Sequence, residues 1–211
     1  MDLQNAIIDD LIQDEIIRFK DEGYFTFASG IKSPIYTDLR RTISYPKLRA
    51  NITAALVETI KKNFPKVTVI AGVATAGIPQ AALVAAAMDL PMVYVRTKPK
   101  DHGTNQQIEG LIKPEDEVVL IDDLISTGGS VLKAAQAVQA AGFKVAGVVS
   151  IFSYGFPDAE KNFADAKIPF YPVLTYAQVL DQSQKSGALS PEKYTAFQNW
   201  HQDPWNWPAE N

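Results

Sequence analysis

EVVLIDDLISTGGS, residues 117–130, is the stretch of sequence from which the fold follows. Residues 118–121 (VVLI) form a short apolar run rich in β-branched side chains, which is typical of a strand buried on both faces of a parallel sheet. We expect this strand to end at Asp122 and Asp123. A turn over residues 124–130 should then lead into a helix over residues 131–141 that stops at Gly142.

The predicted turn is suited to binding a phosphate group. Gly128 and Gly129 allow successive backbone N–H groups to converge, and the hydroxyls of Ser126, Thr127 and Ser130 add donors at a helix N-terminus. The two acids before the turn suit the vicinal hydroxyls of a ribose 5-phosphate. The Walker and dinucleotide-binding patterns are both absent. The alternative is an ordinary strand-to-helix turn in which Gly, Ser and Asp only cap the helix.

The rest of the chain alternates helices and strands. An amphipathic helix is predicted over residues 3–20, followed by a hairpin-like unit with strands over residues 24–28 and 35–39. Further on, the pattern predicts helices over residues 46–64, 80–88, 176–183 and 191–201. Strands are predicted over residues 67–71, 91–96 and 145–151. This order predicts an α/β fold with a mainly parallel central sheet flanked by helices, and with ligands at the carboxyl ends of its strands.

Composition excludes several classes of function. At 211 residues the chain suits one domain with a sizeable core. Its net charge of -4 gives no basic surface for nucleic acid or for anionic membranes. The chain contains no cysteine, which excludes disulfides and thiolate nucleophiles. The first residues lack the pattern of a leader and no apolar run could span a membrane, so we expect a cytoplasmic protein.

Three stretches together resemble a known family. VVLIDDLISTGGS resembles the phosphoribosyl-pyrophosphate (PRPP) motif of the type I phosphoribosyltransferases. FTFASGIKSPIYTDLR (residues 25–40) and VRTKPKDHGTNQQIEG (residues 95–110) narrow the resemblance to the orotate phosphoribosyltransferases. The resemblance implies a type I phosphoribosyltransferase fold in a single domain, residues 1–211, with residues 1–45 contributing a small N-terminal hood.

The resemblance also implies a reaction and its partners. Ribose 5-phosphate would pass from PRPP to orotate, giving orotidine 5'-phosphate and pyrophosphate in pyrimidine synthesis. Mg²⁺ would be needed, held mainly by PRPP and water, with Asp122 and Asp123 nearby. Residues 97–109 are almost wholly polar, which predicts a mobile loop. In a homodimer of the family's kind, this loop would reach the neighbouring subunit's site.

The resemblance to the family assigns site residues by position, and they form three sets. The catalytic set is expected to be Arg96, Lys100, His102 and Asp123. The residues expected to contact PRPP are Thr75, Ala76, Gly77, Arg96, Lys100, His102, Asp122, Asp123, Leu124, Ile125, Ser126, Thr127, Gly128, Gly129 and Ser130. The residues expected to contact orotate are Lys32, Ser33, Tyr36 and Ser126. Taken without the motifs, His102 would be a solvated loop side chain and Tyr36 would equally suit hairpin packing.

Three positions depart from the better-known enterobacterial pattern of the family. Ala28 and Ala76 stand where that pattern has lysines, and Tyr154 lies near the position of an arginine that helps hold the orotate carboxylate. The carboxylate is then expected to rely on other groups, namely Ser126, backbone amides near Lys32 and Ser33, or Arg40.

Two other functions share the central motif. One is a phosphoribosyltransferase that acts on a purine. Residues 25–40 and the spacing of residues 98–102 favour orotate over a purine as the substrate. The other is a PRPP-sensing regulator that has lost the chemistry. A regulator acting on DNA would be expected to carry an added basic module, and this acidic chain shows none.

Overall fold

A computed structural model describes residues 2–20, 22–27, 30–98 and 107–206. The described residues form seven α-helices, ten strands and one 3-10 helix, Leu39–Ser44. The helices are α1 (Leu3–Gln13), α2 (Pro46–Asn63), α3 (Gly77–Met88), α4 (Gly129–Ala140), α5 (Pro157–Ala166), α6 (Tyr176–Lys185) and α7 (Pro191–Gln202). The strands are β1 (Ile17–Phe19), β2 (Phe25–Thr26), β3 (Lys32–Ser33), β4 (Ile35–Thr37), β5 (Val69–Val73), β6 (Met92–Val95), β7 (Ile108–Glu109), β8 (Glu117–Ile125), β9 (Lys144–Ser153) and β10 (Phe170–Thr175). No helix among the described residues has the length and apolar character needed to cross a membrane.

The chain divides into two compact units. One contains Met1–Arg49 together with Thr175–Asn211, and the other contains Ala50–Leu174. The first unit therefore groups the N-terminal segment with α6 and α7. That the chain is a single domain, with residues 1–45 as a hood, stays a prediction.

The second unit is built on a six-stranded sheet in the order β10-β9-β8-β5-β6-β7. Strands β6, β5, β8 and β9 pair in parallel, and β7 is antiparallel to β6. The predicted α/β fold with a mainly parallel sheet is confirmed. Because the parallel strands share one direction, their carboxyl ends meet at one edge of the sheet.

Helices cover both faces of this sheet. On one face, Ala71 of β5 and Leu120 of β8 belong to an apolar cluster that also contains Val131 of α4 and Phe163 of α5. On the opposite face α3 lies so close that a Cβ at Gly72 would stand 2.8 Å from the Cα of Ile78. Alternating residues of β5 thus face different helices, which explains why the strand is apolar throughout.

The predicted end of the central strand is wrong. β8 continues through the two acids to Ile125, because its partner β9 is long enough to pair with Asp122, Leu124 and Ile125. Asp122 and Asp123 therefore lie within the strand rather than after it. The helix that follows begins at Gly129, two residues earlier than predicted.

The predicted N-terminal helix over residues 3–20 is also wrong in its second half. α1 ends at Gln13, and Glu15 adopts a left-handed φ of 53°, which a continuing helix excludes. Residues 17–19 instead form β1, which is antiparallel to β4. The strand at Ile35 consequently pairs with β1, and not with the segment at residues 24–28 as the hairpin prediction required. The short strand β2 pairs with β3.

In the first unit, Trp200 links α7 to strand β3. Its indole is fully buried, and Nε1 donates to the carbonyl oxygen of Lys32 at 2.8 Å. The ring of Phe27 meets it edge-on, and Tyr176 of α6 packs against it at a centroid distance of 5.5 Å. A buried tryptophan whose N–H finds a partner is the stable arrangement for this side chain.

Candidate active site

The loop between β8 and α4 has the geometry of an anion cradle. Gly128 has a φ of 78° and precedes the first residue of α4, with no side chain capping the helix. A Cβ at this position would lie 2.7 Å from Cε2 of Phe163, so both backbone and packing require glycine. Asn162 donates from Nδ2 to the carbonyl oxygen of Thr127 at 3.0 Å, which fixes the loop from the side of α5. The uncapped amides of the first turn of α4 face outward and suit a phosphate.

The two acids of β8 occupy different environments. Asp122 is buried, and its Oδ1 accepts the amide of Asp123 at 3.0 Å. Asp123 is half-buried, and its Oδ1 accepts the amide of Leu124 at 2.9 Å. Burial, and next the neighbouring charge of Asp123, raise the pKa of Asp122 to about 7. The carboxylate of Asp123 is therefore the one of the pair that is open to a ligand.

This difference predicts a pH-dependent stability for the ligand-free protein. The folded chain holds the proton of Asp122 more tightly than the unfolded chain does. The contribution of Asp122 to folding stability is therefore complete below the ordinary pKa of 3.8 and is lost as the pH rises through about 7. The slope is at most about 1.4 kcal/mol per pH unit. Asp122→Asn keeps the acceptor for the Asp123 amide but cannot titrate.

We expect urea unfolding at about pH 5 and at about pH 8 to show a wild-type loss of stability that the Asp122→Asn variant lacks. The difference between the two proteins reports the titration of Asp122 together with its effect on the neighbouring Asp123, because the two carboxyls interact. A difference that stays constant with pH would contradict the raised pKa.

The turn after β5 approaches the same edge of the sheet. It comprises residues 74–76, with a cis peptide between Ala74 and Thr75, and α3 begins at Gly77. Thr75 is exposed, whereas Gly77 is buried against β8, where an added Cβ would lie 2.2 Å from the carbonyl oxygen of Ile121. Gly77 thus sets the close approach of α3 to β8, a packing role that the sequence did not indicate.

A cavity of about 400 Å³ joins three of these elements. Its walls come from the turn after β5, the end of β6 and the segments that follow it, and the first turns of α4. The lining residues are Val73, Ala74, Val95, Arg96, Thr97, Gln107, Gly129, Ser130, Lys133 and Ala134. The cavity therefore brings together three of the predicted PRPP contacts, Arg96, Gly129 and Ser130.

The position of Arg96 is fixed through its main chain. Its amide donates to the carbonyl oxygen of Gln107 at 2.8 Å, and Nε2 of Gln107 donates back to the carbonyl oxygen of Arg96 at 2.8 Å. The guanidinium is partly exposed, with Nη1 at 3.7 Å from Oε1 of Glu109. Arg96 thus has a fixed backbone and a cationic end that a stronger anion can attract away from Glu109.

A larger cavity of about 460 Å³ lies beside β7 and the end of α4. None of the described residues that line it carries a charged side chain, and its walls are mostly apolar, including Ile108, Leu111 and Phe143. Phosphate chemistry needs cations and N–H donors, so the smaller cavity is the candidate active site.

Two predicted catalytic residues, Lys100 and His102, lie outside the described residues, as does Ala28. The predicted loop over residues 97–109 is wrong at its end, because Ile108 and Glu109 form β7 and pair with β6.

The residues predicted to contact orotate lie in the first unit, apart from Ser126. Ser33 is buried, and its hydroxyl is engaged with the main chain of Ile35, donating at 2.8 Å and accepting at 3.2 Å. Tyr36 is half-buried, and its ring lies 5.1 Å from the guanidinium carbon of Arg18. Lys32 is exposed, with Nζ over the ring of Tyr24 at 4.7 Å. Of these residues, Tyr36 and Lys32 have side chains that remain accessible to a ligand.

Two further residues bear on the orotate carboxylate: Arg40, which is expected to contribute to holding it, and Tyr154, which lies near the position of the family's arginine. Arg40 pairs with Asp38, with Nε at 2.7 Å from Oδ1, and its side chain is well exposed. Tyr154 is buried, stacked on Phe156 at a centroid distance of 5.2 Å, and edge-on to Phe152. The position near the expected arginine is therefore part of an aromatic cluster.

Sequence reasoning missed four residues that shape the site: Gln107, Lys133, Asn162 and Phe163. Lys133 had a usable signal, because it follows Gly129 by four residues on a helix and so lies on the same face. The other three had none, since each reaches the site through a contact between segments distant in the sequence.

The parallel sheet, the acids within β8 and the glycine-containing cradle at the start of α4 are the features expected of a phosphoribosyltransferase, and the comparisons with known proteins show that class. Residues 44–169 match the phosphoribosyl transferase domain family. The chain is 52% identical over 204 residues to the orotate phosphoribosyltransferase of Lactobacillus johnsonii, covering 97% of this chain and 96% of that one. The chain belongs to the orotate phosphoribosyltransferase family.

Two further proteins support this family membership. An orotate phosphoribosyltransferase of Streptococcus pneumoniae is 47% identical over 207 residues, covering 98% of this chain and 99% of that one. The crystal structure of orotate phosphoribosyltransferase from Aeropyrum pernix superposes with a TM-score of 0.73 at 27% identity, covering 86% of this chain and 98% of that one.

Proposed function

We propose that this protein transfers the ribose 5-phosphate group of PRPP to orotate, giving orotidine 5'-phosphate and pyrophosphate in pyrimidine nucleotide synthesis. In the reaction the bond from the ribosyl carbon to the pyrophosphate oxygen breaks, and a bond from that carbon to a ring nitrogen of orotate forms as the nitrogen loses its proton. The observation that carries the proposal is the cavity in which the cradle at Gly129 and Ser130 meets Arg96. It places N–H donors and a cation at one edge of the sheet.

Each part of the site has a role in this reaction. The cradle over residues 126–130 binds the 5-phosphate, and the carboxylate of Asp123 accepts hydrogen bonds from the ribose hydroxyls. Arg96, with Lys100 and His102, stabilises the negative charge that gathers on the departing pyrophosphate. The ribosyl centre gains positive charge in the transition state, so a nearby carboxylate also lowers the barrier.

Mg²⁺ fits this site as an ion carried mainly by the substrate. Among the described residues, no group of three or more acidic or histidine side chains could hold a metal ion. Successive residues of a strand point to opposite faces, so Asp122 and Asp123 do not form a chelating pair. Magnesium keeps several waters and commonly takes its other ligands from substrate phosphates. The carboxylate of Asp123 is accessible to an ion bound in this way. When bound, magnesium would neutralise phosphate charge.

The reaction is tested by following the absorbance of orotate with PRPP, with and without Mg²⁺. We expect orotate to be consumed only when PRPP and Mg²⁺ are both present, and chelation of the metal by EDTA to stop the reaction. Binding of PRPP without consumption of orotate would overturn the proposal in favour of a purine transferase or a PRPP-binding regulator.

We further propose a cytoplasmic homodimer in which Lys100 acts in the neighbouring subunit's site. If so, Lys100→Ala and Asp123→Asn subunits complement each other, because a mixed dimer regains one site with both residues. Random mixing makes about half of the dimers mixed, and each mixed dimer has one intact site out of two. The activity should therefore recover to about a quarter of the wild-type value. Each variant alone serves as the control. A mixture no more active than its parents would show that each site uses its own loop.

A further inference from the structure

The candidate active-site cavity contains a cation to which no role has been given. Lys133 lines it together with Arg96, Ala74, Gly129 and Ser130. Among the ion pairs of the described residues, none includes Lys133, whereas Arg96 has Glu109 beside it at 3.7 Å. Lys133 is thus the cation of this cavity whose charge is not already opposed by an acid within the described part of the chain.

The position of Lys133 on α4 follows from helix geometry. Gly129 and Ser130 lie in the first turn of α4, and Lys133 and Ala134 follow them by four residues each. Residues four apart share one face of a helix, so the four line the cavity as a single strip. The strip presents amide donors in its first turn and an ammonium group in its second.

The turn after β5 adds no cation to the part of the cavity wall that it forms. The turn after β5 contributes Ala74, and its other residues are Thr75 and Ala76, none of which carries charge. A diphosphate that lay between this turn and Arg96 would meet backbone groups on one side. Arg96 offers one positive charge to such a group, and α4 offers a second through Lys133.

We propose that Lys133 binds the diphosphate group of PRPP and of the released pyrophosphate in the cavity that Arg96 and the turn after β5 also line. This role rests on the proposed function and adds to it a residue that the motif does not mark. As a flexible point charge, the ammonium group can follow the diphosphate from substrate to product. Lys133 then contributes to binding PRPP more than to the chemical step, because it meets the group equally before and after transfer.

Lys133→Ala is expected to raise KM for PRPP about tenfold, the effect of losing one charge-assisted hydrogen bond, and to leave kcat and KM for orotate within about twofold. Inhibition by pyrophosphate should weaken by a similar factor, while inhibition by ribose 5-phosphate should stay unchanged. Lys133→Arg should restore most of the affinity. Lys66→Ala is the matched control: it removes an exposed lysine just before β5, at the opposite edge of the sheet.

Calorimetric titration of pyrophosphate with Mg²⁺ present separates this inference from the reaction. It measures binding to wild type and to Lys133→Ala whether or not orotate is consumed. Equal affinities in the two proteins, with unchanged thermal unfolding, would overturn the role of Lys133. A loss of affinity for ribose 5-phosphate instead of pyrophosphate would also overturn it, because it would place the ammonium group at the 5-phosphate.

Discussion

Replacing Asp123 with asparagine is expected to lower kcat/KM for PRPP by about a hundredfold. The substitution keeps the shape of the side chain and an oxygen to accept the amide of Leu124, which Asp123 Oδ1 now does at 2.9 Å. If Asp123 has its proposed role, the substitution removes a negative charge beside a ribosyl centre that becomes positive in the transition state. The loss should therefore appear in kcat as well as in kcat/KM, measured from initial rates of orotate consumption at varied PRPP.

Asp89→Asn is the matched control for this change. Asp89 is exposed and caps the end of α3 in a left-handed conformation with a φ of 52°, which asparagine adopts readily. The end of α3 lies away from the strand ends that form the site, so the control should keep full activity. If Asp123→Asn retained wild-type kcat and only unfolded at a lower temperature, its role would be structural.

Gly77→Ala is expected to destabilise the fold by about 3 kcal/mol or more. The added Cβ would stand 2.2 Å from the carbonyl oxygen of Ile121. The main chain fixes the positions of both atoms, so no side-chain rotation relieves the overlap. α3 would have to move away from β8, opening the packing on that face of the sheet. For a chain of this size, the midpoint of thermal unfolding should fall by on the order of 10 °C.

Gly129→Ala is the control for stability. Gly129 is likewise the first residue of a helix that follows a strand, but the nearest atom to its added Cβ is Thr127 Oγ1 at 3.9 Å. Its unfolding midpoint should stay close to that of the wild type in the same scan. Equal midpoints for the two alanine variants would contradict the packing role of Gly77.

The sequence predicted the central strand, its turn and the helix after it because their signals are local. The apolar run at residues 118–121 is stable only when buried, and glycine at position 128 permits the positive φ that the turn requires. The alternation of further strands and helices then predicted a parallel sheet with its site at the strand ends. Such features depend on neighbours within a few residues.

The errors arose where a distant segment decides the outcome. Residues 17–19 have the apolar spacing of the helix before them, yet they form β1 because β4 offers them hydrogen-bond partners. β8 runs on through Asp122 because β9 continues beside it. Neither partner lies within reach of a pattern read along the chain.

For the site, the sequence by itself determined the residue types: a glycine and hydroxyl cradle, paired acids, and cations after β6. Only the tertiary structure decided which of them meet, because parallel strands bring the ends of β5, β6 and β8 together from segments far apart in the chain. Burial, which is a property of the folded chain, raised the pKa of Asp122. Asp123 is only half-buried, so its carboxylate remains accessible to a ligand. The same assembly brings Lys133 of α4 to the cavity that Arg96 and the turn after β5 also line.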